Sequence, residues 1–142
     1  VKKGEPAMSK TAILCVDDEV MVLSSLEIEL RSAFGDAYLY EFAESGEEAL
    51  ELIEELRDEG VAIVAIVSDW LMPGMKGDEF LIEVHNKFPE ITSIMLTGQA
   101  DLLAIEKAKQ EAALSHCLYK PWKSQELISA INSALHRECA IS

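Results

Sequence analysis

Five short apolar runs recur along the chain, and stretches of helical periodicity separate them. Thr11–Val16 has no polar alternation, as expected of a strand covered on both faces. Tyr38–Phe42 is rich in aromatics, and Val61–Val67 is a buried-strand pattern that closes at Asp69. Thr92–Leu96 and His116–Tyr119 complete the set. Between the first two runs, Leu23, Leu26, Leu30 and Ala33 recur at helical spacing, with Glu27, Glu29 and Arg31 on the other face. A second helix turns Ala49, Leu50, Ile53 and Leu56 inward, and Ser45 with Glu48 fits a capping box at its start. Phe80, Leu81, Val84 and Phe88 form the stripe of a third helix. Leu102, Ile105 and Ala108 mark a fourth, over Ala100–Ala113. Leu127, Ile128, Ile131 and Leu135 mark a last one, over Ser124–His136. Gly35-Asp36, Gly60 and Pro89 act as stops.

Strands alternating with helices, through connections too long for hairpins, predict an α/β fold: a parallel, doubly wound sheet with about five helices. Binding sites in such folds form at the carboxyl ends of the strands. One domain over residues 8–137 is expected, with Val1–Ala7 a leader outside the fold and 138–142 a patternless tail.

Charge narrows the function. Twelve basic residues stand against 26 acidic ones, a net charge of −14, which repels nucleic acid and anionic membranes. No run reaches the roughly 20 apolar residues of a membrane span. Cys15, Cys117 and Cys139 lie far apart without a CxxC pair, so neither a disulfide framework nor a zinc site is indicated. A cytoplasmic setting is expected.

The strand ends carry the chemistry. The first run ends at Asp17-Asp18-Glu19, the third at Asp69, the fourth at Thr97-Gly98 and the fifth at Lys120-Pro121. Asp17-Asp18-Glu19 alone would suit a helix start, where acids are favoured. Parallel strands, however, gather all four ends on one edge. Clustered carboxylates repel one another unless a cation is present, and Mg2+ takes oxygen ligands while needing only one or two carboxylates. Three aspartates, one Mg2+ and Lys120 balance to zero. Asp69 is then a nucleophile for phosphoryl transfer, giving an acyl phosphate. Asp18 and Asp69 hold the metal directly, the Leu71 backbone carbonyl is a further ligand, and Asp17 acts through water. Lys120 suits a phosphoryl oxygen. Thr97, beside Gly98, donates a hydrogen bond that senses the group.

Four segments carry a family resemblance: Val16-Asp17-Asp18-Glu19; Ser68-Asp69-Trp70-Leu71-Met72-Pro73-Gly74-Met75-Lys76-Gly77; Leu96-Thr97-Gly98; and Lys120-Pro121-Trp122. In this order and spacing they resemble the motifs of bacterial response-regulator receiver domains, over about residues 10–136. The resemblance implies phosphotransfer from a phosphohistidine on a sensor histidine kinase to Asp69, Mg2+ dependence and self-catalysed dephosphorylation. It implies a flavodoxin-like sheet of order 2-1-3-4-5 and a cis Lys120–Pro121 bond. It also implies a downstream effector or fused output domain as reader, and it allows a homodimer through helix 4, strand 5 and helix 5.

One position departs from the pattern. The family usually carries Tyr or Phe three residues before the lysine, where the ring moves with the switch threonine; here it is Cys117. His116 and Tyr119 are expected on the opposite face. Coupling then runs through the Gly98–Asp101 loop or the last helix. A Mg2+-dependent phosphatase or mutase is the competing reading, but such enzymes place a second acid two residues after the nucleophile, where this chain has Leu71. A phosphorylation-independent binding domain would have lost one of the acids or the lysine.

Overall fold

A computed structural model describes residues 11–70, 72, 74–98, 102–111 and 113–141. Five strands, β1 (Thr11–Val16), β2 (Leu39–Ala43), β3 (Ala62–Asp69), β4 (Thr92–Thr97) and β5 (His116–Tyr119), form one sheet of order β2-β1-β3-β4-β5. Every pairing is parallel, so all five carboxyl ends share one edge. The helices are α1 (Val20–Phe34), α2 (Gly46–Asp58), α3 (Gly77–Lys87), α4 (Leu102–Glu111) and α5 (Ser124–Ile141). This is the doubly wound, flavodoxin-like arrangement expected.

Side chains alternate along a strand, and here the alternation divides the core in two. Ala12, Leu14 and Val16 of β1 pack with Ala49, Ile53, Phe80, Leu81 and Val84 of α2 and α3. Ile13 and Cys15 pack on the other face with Leu23, Leu26 and Leu30 of α1 and Leu127, Ile131 and Ala134 of α5. A register shift between Ala12 and Ile13 in the β1–β3 pairing steps from Ile63 to Ala65, passing over Val64. Such a bulge bends one strand against its neighbour.

Several expectations change. Ala33 is exposed, because Phe34, four residues after Leu30, takes the packing role. Ile128 and Leu135 are half-buried, while Ala130 and Ala134 are fully inward, which rotates the α5 stripe by a residue. Helix α5 continues to Ile141 instead of ending near His136. At α2, Ser45 accepts from Glu48 N at 3.0 Å, but the Glu48 carboxylate accepts from Glu44 N at 2.8 Å, one residue earlier than a strict box. The side chains of Leu102 and Ala108, the leader Val1–Ala7, and the helix start at Ala100 lie outside the described residues. No described helix is long and apolar enough to cross a membrane.

Candidate functional site at the carboxyl edge of the sheet

The sheet register assembles the site. Val16 is the partner of Ser68, so Asp17 leaves β1 beside Asp69 at the end of β3. Asp69 is in turn the partner of Leu96, and Thr97 of Tyr119, which puts Thr97 and Lys120 next along the same edge. The backbone fixes the ends: Trp70 N donates to Leu96 O at 2.8 Å, and Lys120 N to Thr97 O at 2.8 Å. Gly77 N donates to Trp70 O at 2.8 Å. A Cβ on Gly77 would collide with the Asp69 carbonyl oxygen and lie 2.7 Å from Trp70 Cα. Only a glycine lets α3 begin so close to the backbone of Asp69.

Asp17, Asp69 and Thr97 are buried and Asp18 is exposed. Ligand oxygens of Asp17, Asp18 and Asp69 all lie within 4.8 Å of one another. The Lys120 amine reaches Asp17 Oδ2 at 3.1 Å and Asp69 Oδ1 at 3.2 Å, with Glu19 Oε1 at 3.9 Å. Burial pushes the Asp17 carboxyl above the usual range, although the Glu19 backbone N–H, at 2.8 Å from Oδ1, and Lys120 both pull it down. Burial alone would lower Lys120, but its bond to Asp17 and the charges of Asp69 and Asp17 win and raise it. The donor set fits a hard divalent cation: carboxylate oxygens only, close together, with the exposed Asp18 side left to water.

The family model described as the response regulator receiver domain matches residues 13–132. The chain belongs to this family. Over 129 residues the receiver domain is 30% identical to the hydrogenase transcriptional regulatory protein HoxA of Cupriavidus necator, covering 91% of this chain and 25% of that protein. It is 31% identical over 125 residues to the response regulator MprA of Mycolicibacterium vanbaalenii, covering 88% of this chain and 50% of that protein. The chain thus spans half or less of the length of these curated relatives. The crystal structure of the signal receiver domain of an HD domain-containing protein from Pseudomonas fluorescens Pf-5 matches with a TM-score of 0.81 at 32% identity, over 92% of this chain and 98% of that one.

Asp17, Asp18, Asp69, Thr97, Gly98 and Lys120 of the receiver domain all lie on the one edge, and the Lys120–Pro121 bond is cis. The Leu71 carbonyl falls outside the described residues. Cys117 is half-buried and packs on the α2–α3 side of the sheet, whereas Leu118 packs on the α1–α5 side. Tyr119, two residues beyond Cys117, therefore shares its face; the expectation that Tyr119 lies opposite fails against the strand's period of two, while His116 keeps its place. Two contributions escaped the sequence. Glu19 holds Asp17 through its backbone N–H. Glu29, expected on an outer face, accepts from Trp122 Nε1 at 2.9 Å. The first has a local cue in the acidic run; the second joins residues too far apart for any.

Proposed function

We propose that this receiver domain is a phosphoacceptor switch in which Asp69 receives a phosphoryl group from a phosphohistidine of a sensor histidine kinase. The observation that supports it best is the setting of Asp69: a buried carboxylate 3.2 Å from the Lys120 amine and beside two further aspartates. A carboxylate so placed is tolerable only with cations around it. Asp18, Asp69 and the Leu71 carbonyl would hold Mg2+ directly and Asp17 through water. When bound, the ion neutralises charge on the phosphoryl oxygens.

An Asp69 carboxylate oxygen attacks phosphorus, forming an O–P bond. The P–N bond to the donor breaks, and its electron pair leaves on the nitrogen of the regenerated imidazole. Little covalent help is required, so positioning and charge carry the step. Lys120 shifts its attraction to a phosphoryl oxygen, as a point charge suits. The Thr97 hydroxyl, with Gly98 beside it, donates a hydrogen bond to the same group and reports its presence. With Cys117 in place of a ring, that report passes through the Gly98–Asp101 segment or α5. Chemistry is confined to the chain's own phosphorylation and dephosphorylation, without turnover of another substrate. The reader is a partner or an output domain beyond this chain, in the cytoplasm, with a homodimer through α4, β5 and α5 as one form of output. With a net charge of −14, direct contact with nucleic acid or an anionic membrane is not part of this role.

Incubation with Mg2+ and acetyl phosphate should add one phosphoryl group by intact mass, and Asp69→Asn should abolish the labile adduct. An undiminished adduct in that variant removes Asp69 from the role.

A further inference from the structure

We propose that Trp122 and Glu29 are positioning residues that fix the Lys120 amine for phosphoryl transfer, an inference that rests on the phosphoacceptor reading of Lys120. Lysine has a long flexible stem, so its amine is placed jointly by its partners Asp17 and Asp69 and by the backbone from which the stem departs. On one side the anchor is a strand bond, Lys120 N to Thr97 O at 2.8 Å. On the other, the chain has only Pro121 to Lys123 before α5 begins, and Pro121 is exposed. There the half-buried indole of Trp122 donates to Glu29 Oε1 on α1 at 2.9 Å.

Helix α1 makes this bond more than a surface contact. Its first turn is tied to Asp17: the backbone N–H of Glu19 donates to Asp17 Oδ1 at 2.8 Å, and Glu19 O accepts from Val22 N and Leu23 N. From there to Glu29 the helix is a strut of about 15 Å. Its inner face is locked by Leu23, Leu26 and Leu30 in the core. One rigid element therefore holds a site carboxylate at its start and the segment following the site lysine along its length. Lys120 Nζ, at 3.1 Å from Asp17 and 3.2 Å from Asp69, is set by both.

Three variants separate positioning from packing. Trp122→Phe keeps the ring and removes the N–H. Glu29→Gln keeps an acceptor, and Glu29→Leu removes it. Leucine has room there, because Glu29 lines an open groove with Ile28, Ser32, Ala33, Ser124 and Ile128. The readouts are hydrogen exchange of the Lys120 amide in metal-free protein, and the rate of phosphorylation at saturating Mg2+ and acetyl phosphate together with the half-saturating Mg2+ concentration. Trp122→Phe and Glu29→Leu should each exchange about tenfold faster and phosphorylate about tenfold more slowly, the factor expected for a hydrogen bond to a charged group. Half-saturating Mg2+ should stay at the parent value, Glu29→Gln should fall between the parent and Glu29→Leu because a neutral acceptor keeps the bond without its charge, and the double variant should be no slower than either single one. A phosphorylatable parent whose Trp122→Phe variant matches it in exchange and rate overturns this inference alone. So does a Glu29→Gln variant as slow as Glu29→Leu. A parent that takes up no phosphoryl group overturns the phosphoacceptor reading, and the inference with it.

Discussion

The amine of Lys120 lies 3.2 Å from Oδ1 of Asp69, across the carboxyl edge of the sheet. The same amine lies 3.1 Å from Asp17, so one point charge serves two buried carboxylates. Lys120→Met removes that charge and should slow phosphorylation of Asp69 by about a hundredfold, the scale set by loss of one transition-state donor. Mg2+ binding should survive, since the carboxylate oxygens remain. Complete loss of Mg2+ affinity in this variant would contradict the division of roles.

Burial raises Asp17, and this gives the metal-free protein a distinctive pH response. Between its ordinary value of 3.8 and the raised one, native Asp17 keeps a proton that the unfolded chain has released. Stability therefore falls as pH rises through that window. Lys120, also raised, adds stability that persists until pH passes its elevated value. Thermal unfolding in a chelator should show the acid-side decline in the parent and a smaller one in Asp17→Asn, where Glu41, also raised by burial, still contributes. Mg2+ should stabilise the parent increasingly as Asp17 loses its proton, because only the ionised carboxylate attracts the ion and its water. Stabilisation by Mg2+ that is independent of pH across this window would exclude Asp17 from the metal's environment.

Gly77 is fixed by contact with Asp69 and Trp70. Gly77→Ala should cost about 1–3 kcal/mol, as overpacking does, and should displace the Asp69 backbone. Denaturant unfolding and the phosphorylation rate should fall together. A variant as stable and as fast as the parent would show that α3 can retreat freely.

Trp70 directly follows Asp69, and the chain has two tryptophans. In Trp122→Phe the remaining indole reports on the site alone. Its emission should change on adding Mg2+ and respond to far higher concentrations only in Asp18→Asn, since Asp18 is the exposed member of the acidic group. Equal Mg2+ responses in both backgrounds would remove Asp18 as a ligand.

The sequence anticipated the elements whose residues obey a single local rule. The limits of β1 and β5 coincide with their apolar runs, and Asp17, Asp69, Thr97 and Lys120 converge because parallel strands must end on one edge. It failed where distant packing decides. Ala33 and Phe34 are equally good continuations of the α1 stripe until the neighbouring elements are present. Glu29 looks like a solvated acid until Trp122 arrives from the far end of the chain. Gly77 closes the motif that follows Asp69, but only the packing shows that it lets α3 touch the Asp69 backbone. Tyr119 follows Cys117 by two residues, so strand parity alone puts the two on one face.

Every step proposed for this edge of the sheet requires Asp69 to become an acyl phosphate in a Mg2+-dependent reaction. Borohydride reduces an aspartyl phosphate to homoserine and leaves a free carboxylate alone. Treatment after reaction with Mg2+ and acetyl phosphate, followed by peptide sequencing, should place homoserine at position 69, with none formed in the presence of a chelator. Unmodified aspartate at 69, or homoserine at 17 or 18 in its stead, would contradict it.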